Sequence, residues 1–448
     1  MDGPVVGRGR GGRVSRETLL TGARVVTPAG VLDQGWVRVR EGRITAVGTG
    51  SGAAGDGHQP EPDGPPGTRP GGVDLNSVDL ERFDLDGAWL LPGFIDLHMH
   101  GGGGHGVAAS REDMAAAVAF HRRHGTTRTL VSLVTAPLEM LTEQLGWIAD
   151  LIAADPHGPI VGAHLEGPFL SAVRCGAQAP EHLRSPDRAA FAHLVRAGRG
   201  TVRSITIAPE LPGALDIIAD AVAAGVVAAV GHTDATYDET AAALAAGATL
   251  ATHLFNGMRP LRHRDPGPVG AALAGGGACA RVNDGGRVHP SIARLVASDP
   301  RRLVLVTDAI DAAGAGDGDY LLGGQPVRVR GGEARLARQG RLGALRGWAS
   351  PNRPAASRRG VLAGSTLTMD DAVRRAVVDG GLTMEVAAAA AAKNPARVLG
   401  LSHQCGAIAA GLDADFAVLD ADLRLVRVMA RGEWSEPAVA NHLAGAAR

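Results

Sequence analysis

Short runs of β-type residues alternate with alanine-rich helical stretches through the middle of the chain, roughly eight times over about 300 residues. The first pair is WLLPGFIDLHMH followed by DMAAAVAFHRRHG, and the last strand-like run is RRLVLVTDAI. Because parallel strands need a long crossover between them, usually a helix, this alternation predicts a parallel sheet. Eight such units close into a (β/α)8 TIM barrel. A doubly wound open sheet is the alternative.

The two ends of the chain have a different pattern from the middle. Residues 16–48 and the stretch after Lys393 alternate apolar and polar residues in short runs, as half-buried antiparallel strands do. We expect residues 16–92 and 400–448 to form one small domain beside a barrel of residues 93–399. Residues 49–78 and 339–359 are poor in large apolar side chains and are expected to be mobile insertions. For residues 339–359, the alternative is a functional surface that carries arginine side chains. Residues 1–15 are expected to be a flexible tail.

The composition excludes several classes of partner. The chain has 45 Lys and Arg residues against 46 Asp and Glu, a formal net charge of -1, so it lacks the positive surplus that nucleic acids and anionic membranes require. No uncharged apolar run reaches the roughly 18 residues of a spanning helix. Cys175, Cys279 and Cys405 lie far apart, without the spacing of a metal site or a disulfide framework. These features predict a cytoplasmic protein with free thiols that binds neither nucleic acid nor membrane.

Histidine and acidic residues recur at the carboxyl ends of the predicted barrel strands, where barrel enzymes keep their active sites. His98 and His100 are two apart on one strand, so both side chains face the barrel interior. Later strands end with Glu166, His232, His253 and Asp308. Packing alone would explain any single one of these positions. Burying all of them is costly unless they share a cation or a proton-transfer task.

Imidazole nitrogens combined with a carboxylate oxygen suit Zn²⁺ or Fe²⁺ better than Mg²⁺ or Ca²⁺. Such an ion lowers the pKa of a bound water to about 7. Asp308, at the end of the last strand, is placed to take a proton from that water and deliver it to a leaving group. The predicted reaction class is metal-assisted hydrolysis. A carboxylated lysine bridging two metals, as in barrel hydrolases of cyclic amides, is excluded because Lys393 is the only lysine and lies beyond the barrel's last strands.

Several motifs together resemble the N-acetylglucosamine-6-phosphate deacetylases of the amidohydrolase superfamily. The pair HLEGPFL and THLFNGM is the most specific, and the resemblance runs from about residue 17 to 430. The other motifs that carry it are PGFIDLHMHGGGGHG, VGHTDATYDE, LVTDAI, LAGSTLTM and GAIAAGLDADFAVLD. The resemblance implies a (β/α)8 barrel of the metal-dependent hydrolase type, a flanking β-sandwich built from both termini, and a homodimer.

The resemblance also implies roles for individual residues. Glu166, His232 and His253 would hold one metal ion, and His98 and His100 can hold a second, so each subunit would bind one or two Zn or Fe ions. Asp308 would be the base that activates water and then the acid that protonates the amine, releasing acetate and glucosamine 6-phosphate. The implied substrate-binding residues are Asn256, Gly257 and Arg264 at the phosphate, with Arg259 and Arg262 as nearby alternatives, and Ala363 and Gly364 at the sugar.

Two positions depart from the family pattern. Gln178 stands where the family commonly has a histidine that contacts the sugar, and Arg287 where it has a histidine that contacts substrate, in dimers reaching across from the partner. Glutamine can still bond a hydroxyl, but arginine carries a permanent charge. Two alternatives therefore stay open: the same deacetylation of another N-acetylated amino sugar or sugar phosphate, and a non-catalytic paralogue that binds a sugar phosphate.

Overall fold

The computed structural model describes residues 16–50, 79–337 and 360–435. The expected tail 1–15, nearly all of the expected insertion 49–78 and the whole expected insertion 339–359 lie outside these ranges. Within them, no helix combines the length and the apolar character needed to cross a bilayer.

The strands are β1 (Arg16–Thr27), β2 (Gly30–Arg40), β3 (Arg43–Thr49), β4 (Asp79–Asp84), β5 (Trp89–Pro92), β6 (Phe94–Met99), β7 (Gly101–Gly102), β8 (His105–Gly106), β9 (Thr126–Val134), β10 (Ile160–Glu166), β11 (Val202–Ile207), β12 (Val227–Val230), β13 (Leu250–Ala251), β14 (Ala278–Val282), β15 (Leu303–Val306), β16 (Gly318–Leu322), β17 (Gln325–Arg330), β18 (Glu333–Leu336), β19 (Phe416–Leu419), β20 (Leu425–Ala430) and β21 (Glu433–Ser435). The helices are α1 (Arg111–Arg123), α2 (Leu138–Ala154), α3 (Arg188–Ala197), α4 (Ala214–Ala223), α5 (Tyr237–Ala245), α6 (Gly267–Ala274), α7 (Pro290–Val296), α8 (Met369–Val378), α9 (Met384–Ala388) and α10 (Asn394–Val398), with a 3₁₀ turn at Pro180–His182 and a π turn at Ala389–Lys393.

A parallel barrel forms the centre of the molecule. Its strands follow the order β15-β14-β13-β12-β11-β10-β9-β6, and every pairing between them is parallel. The first and last strands meet just beyond their ends, where Met99 pairs with Ala309 and the Asp308 amide donates to the His98 carbonyl at 2.8 Å. Helices α1 to α8 each follow one barrel strand. The predicted (β/α)8 barrel is therefore confirmed.

The local sequence explains these elements. Strands β6 (FIDLHM) and β9 (TTRTLVSLV) are buried at every residue, as expected of parallel strands covered on both faces. Helix α5 begins at a capping box, in which the Thr236 hydroxyl accepts from the Glu239 amide and the Glu239 carboxylate accepts from the Thr236 amide. Helix α1 begins at the N-cap residue Ser110, whose side chain accepts from the Asp113 amide.

The two ends of the chain build a second sheet, as predicted. Its strands follow the order β21-β20-β19-β5-β1-β2-β3, and β4 pairs with the first half of β1. Because β1 pairs with β4 along one half and with β5 along the other, the sheet branches there. Residues of both arms, among them Val37 and Phe416, pack into one apolar cluster, so the domain has a sandwich-like core. Strand β5 ends at Pro92 and β6 begins at Phe94; the exact domain boundaries stay a prediction.

A third, antiparallel sheet interrupts the last barrel unit. Strands β16, β17 and β18 follow one another between β15 and α8. Its inner face, with Val327 and Val329, packs against Val134, Ile310 and Ala363 at the top of the barrel. The sheet therefore lies at the carboxyl ends of the barrel strands.

A buried ion cluster ties the barrel to the terminal sheet. Arg128 on β9 reaches Asp413 and Asp415, which precede β19, with its Nη2 at 3.0 Å from a carboxylate oxygen of each. All three side chains are at most 4% exposed. Arg431, after β20, also contacts Asp413 at 3.0 Å. The negative charges of the buried Asp413 and Asp415 are therefore balanced by Arg128 of the barrel and by Arg431 of the terminal sheet.

Replacing Arg128 by methionine is expected to lower the free energy of unfolding by about 3 to 5 kcal/mol, because buried carboxylates lose their partner. The exposed pair Arg188–Asp220, at 2.6 Å, offers a control, and Arg188→Met should change the free energy of unfolding little, because solvent screens the pair. Denaturant midpoints of the two variants and the parent measure the difference. Equal midpoints for the two variants would contradict the proposed link.

Candidate metal centre and active site

The carboxyl ends of the barrel strands surround a cavity of about 370 Å³, a volume suited to a small ligand. Most of the site residues predicted from the sequence lie in its wall. Those residues are His100, Glu166, Gln178, His232, His253, Asn256, Gly257, Arg287, Asp308 and Gly364.

His98 and His100 point to the same side of β6, as their spacing predicts. Their Nε2 atoms are 2.8 Å apart, and both side chains are buried. The His98 Nε2 lies 3.4 Å from Glu166 Oε1, and the His100 Nε2 lies 3.3 Å from Glu166 Oε2. The histidine pair therefore meets the carboxylate that ends β10.

The backbone turns sharply at three of the predicted positions. Glu166 is the last residue of β10, whereas His232, His253 and Asp308 follow the ends of β12, β13 and β15. These three have φ of 47°, 26° and 50°, in the left-handed region that non-glycine residues rarely adopt. Such conformations cost on the order of 1 to 3 kcal/mol each and cluster at functional sites. Here they occur where the side chains turn toward the cavity.

Glu166, His232 and His253 form a compact set of donor atoms. Glu166 Oε1 lies 3.1 Å from His232 Nε2 and 3.0 Å from His253 Nε2, and the two Nε2 atoms are 3.2 Å apart. The ligands of a tetrahedral ion bound at 2.0 to 2.2 Å are separated by roughly 3.3 to 3.6 Å. Shifts of a few tenths of an ångström, about the size of a small side-chain rotation, would thus seat an ion. Imidazole and carboxylate donors fit Zn²⁺ or Fe²⁺.

In His232 and His100, a hydrogen bond made by Nδ1 determines that Nε2 faces the carboxylate and imidazole cluster. The His232 Nδ1 donates to the Arg174 carbonyl at 3.0 Å, and the His100 Nδ1 donates to the Ser132 carbonyl at 3.0 Å. Since a carbonyl can only accept, each Nδ1 carries the proton, and a neutral ring then directs its Nε2 lone pair into the cluster. This arrangement is typical of metal-ligating histidines. A second group of donors, His98, His100 and Asp308, lies close enough together to hold an ion as well.

Asp308 lies beside the histidine pair at the cavity wall. Its Oδ1 is 3.6 Å from His98 Nε2 and 3.5 Å from His100 Nε2. Burial raises the pKa of Asp308, but the contact with His100 and the charges of His98 and Arg287 outweigh burial and lower that pKa to about 2. The carboxylate is therefore in its proton-accepting form at neutral pH.

The charges of the cluster are strongly coupled. Burial raises the pKa of Glu166, but His98, His232 and His100 outweigh it and hold that pKa well below its usual range. Burial lowers the pKa of His100, whereas the contacts with Asp308 and Glu166 raise it to about 10. An ion that takes His100 as a ligand must therefore displace a proton.

The predicted substrate-binding residues are only partly brought together. Asn256, Gly257, Arg287 and Gly364 line the cavity, and Ala363 is buried next to Gly364. Gly364 has a φ of +56°, and a Cβ there would clash with Ile310, so only glycine fits without strain. Arg264, in contrast, is exposed and is not part of the cavity wall of its own chain.

Two further cavity residues come from the three-stranded sheet. Arg335 on β18 lines the cavity, with its Nη1 donating to the Gly360 carbonyl at 2.5 Å and its Nε paired with Glu333. Leu322 at the end of β16 also lines it. The alternating run QPVRVRGGEARL indicates a hairpin at the sequence level. Nothing in that pattern indicates which part of the barrel the hairpin covers, so Arg335 is absent from the sequence prediction.

Comparisons with known proteins agree with the geometry. The profile of the amidohydrolase family matches residues 89–441. The chain is 36% identical to bovine N-acetylglucosamine-6-phosphate deacetylase, across 79% of this chain and 85% of the relative. It is 33% identical to N-acetylgalactosamine-6-phosphate deacetylase of Escherichia coli O157:H7, across 93% and 98%. A solved structure of a mutant N-acetyl-D-glucosamine-6-phosphate deacetylase from Mycobacterium smegmatis, in complex with N-acetyl-D-glucosamine-6-phosphate, matches with a TM-score of 0.78 and 41% identity, covering 93% of this chain and 99% of that one.

Proposed function

Because the chain belongs to the amidohydrolase family, we propose that it is a metal-dependent deacetylase acting on N-acetylglucosamine 6-phosphate. The products are acetate and glucosamine 6-phosphate. The non-catalytic alternative is disfavoured because Asp308 and the metal-binding set occur together in one cavity.

One observation carries the proposal. Glu166, His232 and His253, distant along the chain, bring donor atoms within 3.2 Å of one another, and Asp308 lies in the wall of the same cavity. This is the arrangement that metal-assisted hydrolysis requires: a site for the ion and an acid–base group beside it.

The residues present suit one or two Zn²⁺ or Fe²⁺ ions. Glu166, His232 and His253 would hold the first, and His98 and His100 would take part in holding a second. When bound, a divalent ion supplies Lewis-acid chemistry that polarises the acetyl carbonyl and makes water nucleophilic near neutral pH.

Asp308 moves the proton in this mechanism. Its carboxylate accepts a proton as water attacks the carbonyl carbon of the acetyl group, because it is ionised at neutral pH. The carbon–nitrogen bond then breaks, and Asp308 delivers that proton to the leaving nitrogen. The amide plus water thus gives acetate and the free amine.

The remaining cavity residues bind the sugar phosphate. Arg287 and Arg335 both line the cavity and offer guanidinium groups suited to phosphate oxygens. Asn256 donates its side-chain amide to the His253 carbonyl at 3.1 Å, which leaves its amide oxygen free to accept from a sugar hydroxyl. Gln178, which was predicted to bond the sugar, lies in the same cavity wall.

A second substrate has specific support. The E. coli relative that matches 93% of this chain is named for N-acetylgalactosamine 6-phosphate, which differs from the glucosamine compound in the configuration of one hydroxyl. The chemistry at Glu166 and Asp308 would be the same for both sugars. The choice between them depends on the cavity wall.

The proposal is tested by incubating the purified protein, loaded with Zn²⁺ or Fe²⁺, with a panel of N-acetyl sugars. We expect release of free amine from N-acetylglucosamine 6-phosphate with the highest kcat/KM. A higher kcat/KM for N-acetylgalactosamine 6-phosphate would establish the second candidate instead. No amine release from any N-acetyl sugar phosphate, in protein that retains its metal, would contradict both.

Replacing Arg335 by methionine is expected to raise KM for the phosphorylated substrate by about 10- to 100-fold, since a charge-assisted hydrogen bond to phosphate is lost. The kcat should change little, because the residue contributes binding rather than acid–base chemistry. Arg330→Met, an exposed position on the same sheet outside the cavity wall, is the control. Parent-like KM in Arg335→Met would exclude it from phosphate binding.

We also propose a homodimer in the cytoplasm. Arg264 lies outside the cavity of its own chain. Its role in phosphate binding would therefore be to reach the substrate in the cavity of a second copy of the chain. Cys175, Cys279 and Cys405 are free thiols, which agrees with a reducing compartment.

A further inference from the structure

Gln178 lies in the loop that follows β10, and its side chain is buried against that strand's last residue. The residue is 6% exposed. Its Nε2 donates to Glu166 Oε2 at 2.6 Å, and its Oε1 accepts from the Thr135 amide at 2.8 Å. The side chain therefore connects the loop after β9 to the carboxylate that ends β10.

These two partners fix the orientation of the amide group. The Thr135 amide can only donate, so the atom facing it must be the Gln178 oxygen. The atom facing Glu166 must then be the nitrogen, which donates to the ionised carboxylate. The amide cannot lose or gain a proton near neutral pH, so this bond does not depend on titration of residue 178.

The bond gives the two oxygens of Glu166 different surroundings. Oε1 faces His98, His232 and His253 at 3.0 to 3.4 Å. Oε2 accepts from Gln178 and lies 3.3 Å from His100. A hydrogen bond on Oε2 restrains rotation of the carboxylate, and so holds Oε1 toward the imidazoles before any ion arrives.

The same loop also orients His232. The Arg174 carbonyl accepts from the His232 Nδ1 at 3.0 Å, and the Ser171 amide donates to the His232 carbonyl at 2.9 Å. The Arg174 guanidinium is paired with Asp234 at 2.7 Å, which anchors the loop. Residues 171–178 therefore hold two of the three residues proposed for the first ion.

We propose that Gln178 is a positioning residue that presents Glu166 to the metal, and that it does not contribute a direct sugar contact. This deepens the proposed function, because it rests on the metal centre assigned there. The Gln178 amide gives one N–H to Glu166 and accepts from the Thr135 amide, and the residue is 6% exposed, so these two protein contacts rather than a sugar contact account for its place beside the carboxylate.

The test is the affinity of the apo protein for Zn²⁺, measured by competition with a chromophoric chelator in the absence of substrate. Gln178→Met keeps the length and volume of the side chain but removes both hydrogen bonds. We expect its Zn²⁺ dissociation constant to rise by about 10- to 100-fold, the usual loss when a partner of a metal ligand is removed. With Zn²⁺ saturating, KM should stay within about threefold of the parent.

Two further variants make the result decisive. Gln178→Asn keeps the amide but is one methylene too short to span Thr135 and Glu166, so the same loss is expected even if the methionine variant fails to fold. Arg335→Met, which changes the cavity without touching a proposed ligand, should bind Zn²⁺ like the parent. Parent-like Zn²⁺ affinity in the Gln178 variants, with KM raised tenfold or more, would overturn the proposal in favour of a sugar contact. Because the Zn²⁺ affinity is measured without substrate, it can be interpreted even if the protein turns out not to be a deacetylase.

Discussion

Asp308→Asn is expected to lower kcat by about 10³- to 10⁴-fold while leaving KM and the occupancy of the ion at Glu166, His232 and His253 close to those of the parent. The amide has nearly the same shape as the carboxylate but cannot accept a proton from water. Since the pKa of Asp308 is lowered to about 2, the parent carboxylate is already ionised across the neutral range. Raising the pH should therefore not rescue the variant.

Asp311→Asn is the matched control for this prediction. Asp311 lies three residues further along the chain and is half-buried, but it is not part of the cavity wall. Its replacement should leave kcat within about threefold of the parent, because it has no part in proton transfer. Steady-state kinetics with N-acetylglucosamine 6-phosphate at saturating metal measure both variants. An Asp308→Asn enzyme with parent-like kcat would contradict the acid–base role of Asp308.

Glu166→Gln is expected to abolish metal retention and activity together. Glu166 Oε1 is the atom that His98, His232 and His253 share, so losing its charge removes the centre of the ligand set. We expect metal content to fall below about 0.1 ion per chain after dialysis, and kcat/KM to fall by at least about 10³-fold. Elemental analysis beside the activity assay tests both parts.

Glu210→Gln is the control for the loss of a carboxylate near the site. Glu210 accepts from the Thr233 hydroxyl and the Asp234 amide, at 2.5 and 2.6 Å, and contacts no imidazole of the proposed metal centre. Its replacement should leave metal content unchanged. Full metal content in Glu166→Gln, or equal losses in both variants, would contradict the assignment of Glu166 as a ligand.

The barrel and the convergence of histidine and acidic residues at its carboxyl end could be predicted because simple periodicities determine them. Residues two apart on a strand face the same side, which placed His98 and His100 together. Parallel strands end at one face of a barrel, which placed Glu166, His232, His253 and Asp308 at that same face. Neither rule depends on knowing a distant contact in advance.

The contacts made by segments outside the barrel strands could not be predicted in the same way. Arg335 reaches the cavity because β16 to β18 pack on Val134 and Ile310, a contact between segments far apart in sequence. Gln178 bonds Glu166 because the loop after β10 folds back on its own strand. Arg264 follows the THLFNGM motif in the sequence, but its side chain is exposed and lies outside the cavity of its own chain. In each case tertiary packing decides the contact, and local sequence patterns do not encode it.

The most direct test is anomalous diffraction from crystals of the protein grown with Zn²⁺, recorded at the zinc absorption edge. We predict a peak at about 2.0 to 2.2 Å from Glu166 Oε1, His232 Nε2 and His253 Nε2. An active crystal form whose zinc lies elsewhere, with these three side chains bonded only to one another, would contradict the account.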